Sequence, residues 1–95
     1  DKQGRLVSMI SIGNIYFKKD DYPQSMNLGI KALNAAQEMG TMPEIKLASE
    51  LLYNVYKAIG NHDRSLEMYE LHIKMRDSIV NEKNTKALLQ QQLKY

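Results

Sequence analysis

The chain repeats itself at an interval of 40 residues, and that interval limits what it can fold into. Shifted by that amount, Asn14 falls on Asn54, Tyr16 on Tyr56 and Ser25 on Ser65. Ile12 falls on Leu52, Ile15 on Val55, Met26 on Leu66, Leu28 on Met68 and Leu33 on Ile73. Asp21 falls on Asn61, so polar turn meets polar turn and apolar stripe meets apolar stripe. Such a unit is too small to bury its own apolar face, and stacking successive units is what creates a continuous core. The expectation is one elongated array of similar modules.

Within each unit the apolar spacing is helical. Leu6, Met9, Gly13 and Tyr16 recur at intervals of three and four, and Lys18-Lys19-Asp20-Asp21 ends this first helix. A second helix is expected from about Pro23 to Met39 on the stripe Met26, Ile30, Leu33 and Ala36. Pro23 suits a first turn, where its missing N–H would have no partner in any case, and Gly40 suits the left-handed residue after the last turn. Thr41 and Glu44 have the spacing of a capping box. The third helix, about Pro43 to Ile59, carries Ile45, Ala48, Leu52, Val55, Tyr56 and Ile59. After Gly60-Asn61 a fourth presents two candidate faces, Leu66/Tyr69/Ile73 and Leu71/Met75/Ile79. The pattern weakens at Asn81 to Asn84, where Asn81 could cap a separate helix running to Tyr95. No segment alternates with period two, so no strand is expected.

The punctuation resembles that of tetratricopeptide repeats, arrays of antiparallel helix pairs. The segment Ile12-Gly13-Asn14-Ile15-Tyr16 is similar to the family's first helix, where a tyrosine follows a small residue by three. Gly60 stands at its turn, Ser25 and Ser65 at its small position early in the second helix, Tyr69 at its aromatic and Ala32 at its late small residue. Departures are Tyr53 for the small residue, Gly29 for the aromatic, Asp20 for the turn glycine and His72 for the late alanine. The period of 40 also exceeds the family's usual length of about 34 residues. The resemblance implies an all-α, right-handed superhelix of two antiparallel helix pairs plus a C-terminal helix. It divides a single domain into repeat 1 at about 5–40, repeat 2 at about 45–80 and a capping or linker helix at about 82–95. The run from Tyr69 to Ile79, followed by a Lys- and Gln-rich helix, is similar to the close of such arrays in bacterial sensor histidine kinases and transcriptional regulators. The implied role is the sensory or scaffold part of a signalling protein of that kind.

On that resemblance the first helix of each pair lines an inner groove, and Asn14 and Asn54 occupy equivalent places on it. An asparagine amide donates and accepts at once, so it can pair with the backbone of an extended peptide whatever its side chains. Groove asparagines of related peptide receptors act in this way. The alternative for each is a hydrogen bond to the neighbouring helix. Ile10, Phe17 and Lys18 would join Asn14, with Val7 beside them; Glu50 and Lys57 would join Asn54, with Leu47 and Ala58. A surface of this make-up suits an apolar or amphipathic segment. The carboxylate clamp of chaperone-binding members places Lys four residues before the first Asn; here that residue is Ile10, so clamp function is not expected.

Other chemistry finds little footing. Glycine-rich phosphate loops and nucleophile elbows are absent, so no enzyme and no cofactor is expected. His62 and His72 stand ten apart with no second pair of ligands, so no metal site is expected. Thirteen basic residues face 11 acidic ones, scattered and without aromatic interleaving, which gives no nucleic-acid surface. No apolar run is long enough to span a bilayer. Cysteine is absent, which excludes disulfides and thiol chemistry and leaves the compartment open. Beginning at Asp1 and ending in a helical stretch, the chain reads as an excised part of a longer protein. The partner expected is a protein or peptide, with a second copy of the chain as the alternative. In that alternative the last helix starts a coiled coil into an output domain, although Glu82 and Lys86 interrupt the apolar frame Met75, Ile79, Leu89, Leu93.

Overall fold

The computed structural model describes residues 1–93, and these form four helices with no strand among the described residues. They are α1 (Lys2–Lys18), α2 (Tyr22–Met39), α3 (Met42–Ala58) and α4 (His62–Leu93). The all-α expectation therefore holds. Each helix packs on the next, and α1 also touches α3, whereas α2 and α4 have no close backbone approach. Helix α3 is the hub, with neighbours on three sides.

The connections are built on a beat of twenty. Asp20, Gly40 and Gly60 take left-handed conformations, with φ of 61°, 68° and 81°. Each is followed by the residue at the head of the next helix, Asp21, Thr41 and Asn61; the Asp21 and Asn61 side chains accept from the N–H three residues on, and that of Thr41 does not. At each turn the N–H of that residue reaches back five positions, from Asp21 to the Tyr16 carbonyl, from Thr41 to Ala36 and from Asn61 to Tyr56. This bond closes the last helical turn around a left-handed residue. Asp20 manages it without being glycine, as a short polar side chain can; its carboxylate accepts from the Tyr22 hydroxyl at 3.1 Å. That hydrogen bond, with Asp20's charge and some desolvation, raises the Tyr22 phenol above its usual range.

Two features of the sequence are realised differently. The Thr41/Glu44 capping box does not form: the Thr41 N–H that Glu44 would accept from is held by the Ala36 carbonyl, and the Thr41 side chain accepts no backbone N–H. Glu44 instead accepts from Gln3 Nε2 of α1 at 3.1 Å. Nor is there a separate helix from 82. Helix α4 runs unbroken for 32 residues, and Lys94 and Tyr95, the end of the expected helix, lie outside the described residues. The next beat would need a left-handed residue at Val80, and a β-branched side chain resists that conformation. Asn81 makes no cap; its carbonyl accepts from Thr85 Oγ1 at 2.9 Å, the back-bond of a continuing helix. Glu82 and Lys86, one turn apart, pair at 3.5 Å.

The core joins Leu6 and Ile10 of α1, Ala32, Leu33 and Ala36 of α2, and Ile45, Ala48 and Leu52 of α3. Helix α4 adds Met68, Leu71 and Met75, so of its two candidate faces the Leu71/Met75 face turns inward. Leu66 and Tyr69 of the other are exposed, as are Ile30 and Ile59 of the expected stripes. Glycine governs the close approaches: a Cβ at Gly13 would lie 2.7 Å from Leu51 Cδ2, and one at Gly29 would lie 2.8 Å from Leu52 Cδ2. Repetition extends to side-chain bonds. Ser25 Oγ donates to the Gly13 carbonyl at 2.8 Å, and Ser65 Oγ to the Tyr53 carbonyl at 3.2 Å, each pinning the second helix of a pair to the first.

Candidate functional site

The seven groove residues separate into four groups. Asn14 is exposed on α1, with Lys18 one turn further on and Val7 two turns before it. Asn54 is half-buried on α3, with Glu50 exposed one turn before it. Neither asparagine amide makes a hydrogen bond to another described residue, so the bond to a neighbouring helix is not made. Helices α1 and α3, which carry them, approach each other directly. The two amides stand 40 residues apart on these adjoining helices, unpaired among the described residues.

Ile10 does not belong to this surface. It is only 4% exposed and lies in the core. The reason is its spacing: Leu6, Ile10 and Gly13, at steps of four and three, are the buried stripe of α1. Phe17 is half-buried and tilts onto the Tyr22 ring at a centroid distance of 5.7 Å, so it secures the α1–α2 turn. Lys57 holds its Nζ 5.6 Å from the Tyr53 ring centroid, a cation–π contact.

This places Lys57 in a second cluster. Tyr53 and Tyr69 stack at 5.2 Å between centroids, and with Lys57, His62 and Leu66 they line a shallow cavity of about 350 Å³ between α3 and α4. Tyr53 and Tyr69 are the equivalents of Gly13 and Gly29. Where the first pair has two glycines that admit Leu51 and Leu52, the second pair has two rings that contact each other.

Among the described residues Glu50 has one ionisable neighbour within reach. His72 Nδ1 lies 4.0 Å from its carboxylate and 3.2 Å from the Lys46 carbonyl, so a proton on that nitrogen would be held between α4 and α3. His62 is ten residues away at the start of α4, and no group of three metal-ligating side chains occurs among the described residues. No described helix is long and apolar enough to cross a membrane.

Sequence reasoning missed a third feature. At the end of the molecule where the α2–α3 turn meets α4, a cavity of about 370 Å³ is lined by Thr41, Glu44 and Lys83 among others. The signal was present in the Thr41/Glu44 pair, but it read as a cap. No protein-family model matches this chain, and neither does any curated protein or solved structure.

Proposed function

We propose that this chain is a non-catalytic module for binding a protein or peptide segment, built as two tetratricopeptide-type helix pairs in a right-handed superhelix. The observation that carries the reading is the pair Asn14 and Asn54. They sit one repeat apart on adjoining first helices, and both amides lack a partner among the described residues. Two such amides can grip an extended backbone at two points while the exposed Val7 and Leu47 take its apolar side chains. The working surface is Asn14, Lys18, Glu50 and Asn54 with those two apolar residues; Ile10 supports it from below. As part of a sensory or scaffold protein, such a module would pass a change in helix packing along α4.

The test is selection of peptides on the immobilised chain, followed by calorimetry of the best binder with the parent and with the double variant Asn14→Ala/Asn54→Ala. Loss of two amide contacts should weaken binding about tenfold or more. A peptide held equally well by the double variant would show that the groove is elsewhere, and failure to select any peptide would remove the reading.

A second reading has its own observation. Beyond Val80 every described residue of α4 is exposed, including Leu88, Leu89 and Leu93. A helix that projects apolar side chains could join a second copy as a dimerisation spacer. Light scattering distinguishes the two: a dimer that becomes a monomer on truncation after Asn81 favours the spacer.

A further inference from the structure

We infer that the cavity between the α2–α3 turn and α4 is a binding site for a small zwitterion carrying a primary ammonium group and a carboxylate, of which an apolar α-amino acid is the simplest case. The inference is independent of the peptide groove.

Its floor holds two buried acceptors without partners. Glu44 is only 5% exposed, yet Oε2 has no hydrogen bond among the described residues; Gln3 serves Oε1 alone. Thr41 Oγ1 is likewise buried and unpartnered. A buried carboxylate oxygen without a donor is costly, and the missing group is an N–H donor, best a charged one. The Ala36 carbonyl holds the Thr41 N–H that Glu44 would have used, and Thr41 Oγ1 makes no cap bond of its own, so both side chains are left open.

The α4 side of the cavity is exposed and carries Glu82 as well as two cations. Lys83 and Lys86 of α4 line it, and Lys86 is partly neutralised by Glu82 at 3.5 Å. Lys83 makes no ion pair among the described residues. Met42, Pro43 and Ile79 supply apolar wall. Buried acceptors, apolar wall and exposed cations thus line one cavity. A ligand that matches it presents ammonium inward to Glu44, carboxylate outward to the lysines and an apolar side chain to the wall. The volume of about 370 Å³ is at the small end of ligand pockets, which suits a molecule of amino-acid size.

The probe is L-leucine, titrated into the full chain while backbone amide resonances are followed by NMR. Saturable shifts are expected at residues 41–44 and 79–86 and not at Asn14 or Asn54, with a Kd of the order of 1 mM for so few atoms. 4-Methylpentanoate, which lacks the ammonium group, should not bind. Glu44→Gln should weaken leucine binding about tenfold to a hundredfold, since it removes a charged acceptor. Should that variant fail to fold, Lys83→Ala/Lys86→Ala alters only exposed side chains and should weaken binding about two- to fivefold. The inference is overturned if leucine gives no saturable shift at concentrations well above that Kd. It is equally overturned if 4-methylpentanoate shifts the same residues as strongly, or if neither variant weakens binding.

Discussion

Helices α1 and α3 occupy the same place in their repeats, yet they bury opposite amounts of equivalent sequence. Ile12 and Ile15 of α1 are 46% and 51% exposed, while their counterparts Leu52 and Val55 of α3 are 1% and 0% exposed. The side chains are of one kind; what differs is the neighbour. Helix α3 receives α2 on the face that carries Leu52, with Gly29 cut away to admit it. No helix within the described chain reaches the corresponding face of α1. In a repeat, then, the apolar pattern tells which residues can be core, and position in the array decides which are.

The comparison can be broken most directly at those residues. Leu52→Ala should destabilise the chain by about 2–5 kcal/mol, the range for truncating a fully buried leucine. Ile12→Ala should stay within about 0.5 kcal/mol. Chemical denaturation of the two variants, followed by circular dichroism, measures both. Comparable losses would mean that the Ile12 face is covered in solution, and the contrast between the helices would fall.

A smaller effect sharpens the same contrast at the level of single hydrogen bonds. Ser25 is fully buried and its hydroxyl lies 2.8 Å from the Gly13 carbonyl; Ser65 is 6% exposed and its bond to Tyr53 is 3.2 Å long. Ser25→Ala should cost about 1 kcal/mol and Ser65→Ala less, because the inner bond is the shorter and drier of the two. Equal values from melting curves of the two variants would show that the two pairs are held together alike, whatever their surroundings.

Much of this was legible in the sequence, and two of the misses share a cause. The helix boundaries and the all-α fold were readable because their determinants are local: a left-handed glycine, a capping side chain and a period of three to four. The repeat was readable because Ser25 and Ser65 do the same task forty residues apart. Ile10 was misplaced by treating the residues around Asn14 as one face, although its spacing from Leu6 and Gly13 puts it on the buried stripe. Glu44 was read as a cap because the rival for the Thr41 N–H, the Ala36 carbonyl, and the amide that takes over, Gln3, belong to other helices. The tyrosine pair was hidden for the same reason: Tyr53 and Tyr69 stand 16 residues apart, and only the packing of α3 on α4 makes them a unit.

The smallest expected effect concerns α4 itself, which holds two regions of opposite character. Its first half lends Met68, Leu71 and Met75 to the core; from Asn81 to Leu93 every residue is exposed. An isolated helical segment of that length is marginal in water, so residues 82–93 hold their form chiefly by continuing a helix already anchored upstream. Truncation after Asn81 should therefore leave the unfolding free energy within about 0.5 kcal/mol of the parent, while the helical circular dichroism signal per molecule falls. The only ion pair it removes among the described residues is the exposed Glu82–Lys86 contact, whose worth is a few tenths of a kcal/mol. A large loss of stability would show that the distal half of α4 covers part of the array, which is the capping role its exposed leucines argue against. The same truncation removes Lys83 and Lys86 and with them the cations of the Glu44 cavity, so an unchanged fold with lost leucine binding would separate the stabilising half of α4 from the half that serves the site.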